Sequence, residues 1–160
     1  MMNTEELLLK TAFCCMACDG EIAPKEVALL KKLAKEEKLF GDLKIAKVVN
    51  SFVDQLNEQG YFFVDAYLKE LSDAQMSEEE QLAIIKTALV TIKADEKVEY
   101  AEISFFKQIR EKLFVSDEVI LAAFPDEPEM EEYLLPDIID KSAGLWSVSF
   151  SAIDLNELSE

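Results

Sequence analysis

Residues 10–32, KTAFCCMACDGEIAPKEVALLKK, align without a gap on residues 86–108, KTALVTIKADEKVEYAEISFFKQ. Lys-Thr-Ala, the Asp, the Glu seven residues after it and a Lys are identical in the two stretches. The pairs Phe13/Leu89, Met16/Ile92, Ile22/Val98 and Val27/Ile103 keep their apolar character. After a two-residue deletion, EKLF at 37–40 matches EKLF at 111–114. Such a repeat restricts the fold more than composition does, because each copy must be one supersecondary unit that buries its apolar face on a neighbour. The expected unit is a helix–turn–helix, present about at 10–40 and again at 86–114, with two helices between the copies.

The periodicity supports helices throughout. Leu9, Phe13 and Met16, with Leu8, Ala12 and Cys15 alongside, form an apolar face at helical spacing after Asn3 as N-cap. Pro24 suits the first position of a second helix presenting Val27, Leu30 and Leu33. A third helix is expected at about 42–57, and a shorter aromatic one follows Gly60 with Phe63, Tyr67 and Leu71. Ser77 and Glu80 form a capping box for a fifth helix with Leu82, Ile85, Leu89 and Ile92. A sixth, about 100–114, carries Ile103, Phe106, Ile109 and Leu113, and Ser116 or Asp117 caps a seventh that ends before Pro125. With half the residues hydrophobic and only four Gly and four Pro, an all-α fold is favoured over disorder or an all-β fold. The expectation is a compact bundle of about seven helices over residues 1–124.

Residues 125–160 read as an acidic C-terminal tail, with three prolines in PDEPEMEEYLLPDIIDKSAG and room for one short helix. LWSVSFSA at 145–152 alternates, with Trp146, Val148 and Phe150 on one side and serines on the other. That pattern suits a partly extended arm, laid over the helices or joined to a partner's sheet or a second subunit, which would make a homodimer.

Formal net charge is −17. Residues 1–115 hold 21 acidic and 15 basic groups, whereas 116–160 hold 12 acidic groups against Lys141 alone. Such a chain repels phosphate backbones and acidic membrane surfaces, so neither nucleic acid nor membrane insertion is expected. Cations or a basic protein partner are the plausible ligands. MMNTEELLLK carries acid where a signal peptide carries base, and the three cysteines stand too close together for a disulfide framework; a reducing cytoplasm is the expected setting.

Cys15-x-x-Cys18 has the spacing of a redox dithiol or half a zinc site. A reactive dithiol needs a helix N-terminus to lower the thiol pKa, but this pair falls in the last turn of a helix beside Asp19 and Glu21. Zinc lacks a further ligand, since the chain has no His. In the second copy Cys14, Cys15 and Cys18 become Val90, Thr91 and Ala94. Small buried packing residues are the better reading.

Asp19-Gly20-Glu21-Ile22-x-x-x-Glu26 matches the second half of an EF-hand loop, but positions 1 and 3 fall on Cys15 and Ala17 inside a helix. In the second copy Asp95, Val98, Glu99 and Glu102 take positions 5, 8, 9 and 12, while Glu96 replaces the glycine. A complete EF-hand is excluded. Two readings stay open: oxygen ligands for a divalent cation, or a tight turn in which Glu26 and Glu102 cap the next helix while Ile22/Val27 and Val98/Ile103 staple it.

At MACDGEIAPKEVALLKKLA and its echo IKADEKVEYAEISFFKQI the sequence resembles the TerB family, the tellurite-resistance-associated domain similar to the N-terminal region of the DjlA co-chaperone. The resemblance covers about residues 5–124. It implies a helical bundle built from a duplicated half, a role in stress response, and metal binding at Asp19, Glu21 and Glu26 and at Asp95, Glu99 and Glu102, with Ca2+, Mg2+ or a similar divalent ion as cofactor. The expected function is thus a non-enzymatic intracellular module acting through a protein partner. The alternative is a pure interaction scaffold whose acidic turns are only helix caps and whose tail engages a partner or second subunit. No nucleophile–base pair or glycine-rich phosphate loop suggests an enzyme.

Overall fold

The first helix, α1 (Thr4–Ala17), is enclosed from Leu7 onward: every residue from Leu7 to Cys18 is buried, Lys10 and Thr11 included. The structure, a computed structural model, describes residues 4–18, 24–35, 45–93, 100–127 and 130, with residues 24–26, 100 and 101 described by backbone alone. Around α1 the described residues form α2 (Pro24–Lys35), α3 (Ile45–Gln59), α4 (Tyr61–Asp73), α5 (Glu78–Ile92), α6 (Tyr100–Glu111) and α7 (Asp117–Ala123). The fold is all-helical, with seven helices and no strand among the described residues. Helix α1 packs most extensively on α5 and also meets α3, α4 and α6, which is why it buries more than one stripe.

The duplication is visible in the geometry. Helices α2 and α6 begin and end at positions 76 apart, the offset of the sequence repeat. The hydroxyl of Thr11 donates to the Leu7 carbonyl at 2.8 Å, and that of its counterpart Thr87 donates to Ala83 at 2.8 Å. Thr4 donates to Glu80, its own counterpart, at 2.6 Å. Contact between a residue and its equivalent is what isologous pairing of two like units produces.

The core divides into an aromatic cluster and an aliphatic layer. Phe13, Phe52 and Phe63 meet with ring centroids 5.6 to 6.0 Å apart in tilted and edge-on arrangements. Above them lies Lys10, 5% exposed, its ammonium 4.6 Å from the Phe63 centroid and 5.8 Å from that of Phe52. Its charge is met by Glu70 at 2.8 Å, a carboxylate still one-third exposed to water. Burying an ammonium is costly unless it is paired, and here the pairing is threefold: one carboxylate and two ring faces. Tyr67 is fully buried, with its hydroxyl 2.5 Å from Thr11 Oγ1. Because the single Thr11 proton goes to Leu7, Tyr67 is the donor. Burial pushes the Tyr67 phenol well above its ordinary pKa, so it stays protonated for that role.

Chain breaks follow local chemistry. Gly60 joins α3 to α4 with φ 59° and ψ −134°, a conformation that only glycine adopts without strain. The Ser77 and Glu80 capping box opens α5, and Ser116 caps α7 through the Val119 N–H. Helix α6 stops at Glu111, three residues short of the periodicity-based end, because Gln81 captures the following chain. Its Oε1 accepts from both Phe114 and Val115 N–H at 2.8 Å, while its amide nitrogen donates to Met76. Leu82 and Ile103 are only partly buried; Ile84 and Phe105 take the deeper positions. After α7 the chain returns to the core at Met130, which is fully buried. The start of α3 and Leu43, the caps at Asn3 and Gly20, and the tail's extended arm with Trp146, Val148 and Phe150 lie outside the described residues.

Two measurements check this account. Gln81→Ala strands the buried Val115 N–H, so urea unfolding is expected to lose about 1–3 kcal/mol, with Gln81→Glu recovering most of it by keeping the acceptor. Glu80 is held below its ordinary pKa, first by the Thr4 hydroxyl and then by the Ser77 N–H. A folded-state pKa below the unfolded one gives stability that is present above the usual carboxylate range and is lost as pH falls through the lowered value. The melting gap between the parent and Glu80→Gln should therefore close in acid; a gap that stays constant contradicts the assignment.

Candidate functional site

The two acidic turns occupy equivalent places, one between α1 and α2 and the other between α5 and α6. Because α2 starts at Pro24 and α6 at Tyr100, Glu26 and Glu102 both stand third in their helices. Asp19, Glu21, Asp95 and Glu99 lie outside the described residues, as does the side chain of Glu26. Among the described residues no group of three or more His, Cys, Asp or Glu side chains could hold a metal ion.

Glu102 is the one candidate ligand whose side chain is placed. It is 4% exposed, in the first turn of α6, and it has an interaction partner. Its setting differs from that of Glu80, which stands third in α5 and caps that helix from a half-buried position. A buried carboxylate needs compensation by hydrogen bonds or a cation, whereas a surface cap is satisfied by one backbone N–H and water. The donor chemistry of the two turns, three carboxylates each, suits a hard divalent ion.

The cysteines are core residues. Cys14, Cys15 and Cys18 are free and fully buried, and the Cys18 thiol donates to the Cys15 carbonyl at 3.2 Å. Burial drives the Cys14 thiol far above its ordinary pKa; the opposing pull of the Lys10 charge is smaller. A thiol without access or thiolate character is neither a nucleophile nor a metal ligand.

A second concave feature escaped the sequence reading. Asp65, Leu68, Lys69, Ser72 and Asp73 of α4, with Gln108 and Glu111 of α6 and Lys112 beyond it, line an open groove of about 550 Å³. Charged residues at four-residue spacing look like an ordinary solvated helix face, so only tertiary packing brings the two rows together. Among the described residues no helix is long and apolar enough to cross a membrane.

These features define the class as an all-helical protein in which two like helix pairs, offset by 76, each flank an acidic segment of sequence. Compared with models of known families, with curated proteins and with solved structures, the chain matches none of the three. The TerB resemblance therefore rests on the residues of the two turns themselves.

The burial of the cysteines predicts that a disulfide exchange reagent finds no fast-reacting thiol in the native protein and all three after unfolding. Rapid modification of Cys15 or Cys18 in the folded chain would contradict the core assignment.

Proposed function

We propose that this protein is a TerB-like, non-enzymatic helical module that binds a divalent cation at its duplicated acidic turns and acts through a protein partner in stress response. The observation that carries the reading is the repeated framing of the turns: two like helix pairs, offset by 76, each present an Asp before and a Glu inside the second helix. The burial of Glu102 adds support, since a cap alone does not require it. Asp19, Glu21 and Glu26 would supply one set of oxygens, and Asp95, Glu99 and Glu102 the other. The bound ion would draw the ends of α1 and α2, or of α5 and α6, into one fixed geometry.

The alternative is a pure interaction scaffold whose turns are caps. It is favoured by the working capping box of Ser77 and Glu80 and by the glycine missing at Glu96.

A ligand that binds only the folded state raises the melting temperature by mass action. Melts with Ca2+, Mg2+, Mn2+ or Zn2+ against EDTA should show a rise of several degrees for at least one ion, and Asp19→Asn with Glu26→Gln should reduce it. If no ion moves the transition, or if the double variant responds like the parent, the cation reading is wrong and the scaffold reading stands.

A further inference from the structure

Among the described residues, α2 is the one basic helix of an acidic chain. It carries Lys25, Lys31, Lys32 and Lys35 against Glu26, whereas each of the other six helices is neutral or negative. Ala28, Lys32 and Lys35 stand at positions i, i+4 and i+7, so they share one face of α2. All three are exposed.

The repeat supplies a control for that face. At the same register of α6, Ser104, Phe105 and Gln108 are all buried. Helix α4 packs there, with the Tyr67 ring 6.3 Å from that of Phe105. Their counterparts in α2 are Ala28, Leu29 and Lys32, of which Leu29 is half-buried and the other two are exposed. The inserted helix α4 therefore covers this face in the second unit, and no described helix covers it in the first. What the first unit presents to solvent there is a short apolar strip followed by lysines.

We propose that residues 131–160 of the same chain dock on this exposed face of α2. They carry seven carboxylates against Lys141 alone, so α2 attracts them where the rest of the acidic chain does not. The tail leaves the bundle from a fixed point, because Met130 is fully buried and Glu127 is bonded to Lys93. From there its length extends up to roughly 100 Å. The bundle it leaves has a radius of gyration of about 14 Å, so the tail reaches any face. The tether also holds it near α2 at an effective concentration of millimolar order. A free polyanion such as nucleic acid has no tether and meets the repulsion of a chain with net charge −17. Trp146, Val148 and Phe150, one side of the alternating stretch, then cover Ala28 and Leu29 beside the lysines. A tail held on α2 is withheld from any external basic protein, which must displace α2 to reach it.

The inference goes beyond the function proposed above and needs neither cation nor partner, so it is tested on the full chain in EDTA. A carbodiimide joins a lysine to a carboxylate that touches it. In low salt, Lys32 and Lys35 should be joined to carboxylates of residues 131–160 at least fivefold more often than Lys47 and Lys69, which are exposed on α3 and α4. The excess should shrink in about 1 M NaCl. Mixing unlabelled and 15N-labelled protein shows whether lysine and carboxylate belong to one chain, as expected. Links between unlike chains assign the face to a second copy and overturn the proposal, as does an equal yield at all four lysines or none at α2. The variant Lys32→Glu with Lys35→Glu should make Trp146, the chain's only tryptophan, at least twofold more accessible to acrylamide, with a melting temperature near that of the parent. Unchanged quenching of Trp146 likewise overturns it. None of these results bears on the ion-dependent melts.

Discussion

Helix α1 is enclosed from Leu7 to Cys18, and the remaining architecture is arranged to make that enclosure affordable. A helix covered on all faces gains apolar burial everywhere, but it must also find partners for each polar side chain it takes inside. Lys10 has Glu70 and the faces of Phe52 and Phe63; Thr11 has the Leu7 carbonyl and the Tyr67 hydroxyl. Apart from the Leu7 carbonyl of α1 itself, these partners come from α3 and α4, the two helices between the duplicated units. The inserted pair is therefore the means by which the first copy tolerates a lysine at its centre.

The second copy solves the same problem differently. Lys86, the counterpart of Lys10, is exposed, so α5 needs no buried counter-charge. Its polar burden is Gln81, Thr87 and Thr91, which are satisfied by chain turns and by helix carbonyls. The two units share their helix order, and α2 and α6 their extent, while differing in what they bury. That is the expected course for a duplicated half once each copy faces different neighbours.

The helix ends of the repeat and the groove are regions of unlike character. The acidic turns lie at helix ends inside the repeat, where α1 hands over to α2 and α5 to α6, and Glu102 is drawn into the protein there. The groove of α4 and α6 lies partly outside the repeat, since α4 belongs to the inserted pair. Helix α6 belongs to both regions, since it carries Glu102 in its first turn and Gln108 and Glu111 farther on.

Much of the fold was legible in the chain alone. The repeat, the helical periodicity, the capping box at Ser77 and Glu80, the break at Gly60 and the packing role of the cysteines all depend on interactions within a turn or two, or on comparison of one copy with the other. The end of α6 was not legible, because Gln81, some thirty residues away, takes the backbone N–H groups that another helical turn would have used. Nor was the burial of Lys10, whose charge reads as a surface residue until Glu70 and two rings close over it. The groove was hidden for the same reason: Asp65, Lys69 and Asp73 line a concave surface only because α6 brings Gln108 and Glu111 alongside. Local sequence determined which segments are helical and how they are punctuated. Tertiary structure alone decided which polar groups are enclosed, because that depends on partners distant in the chain.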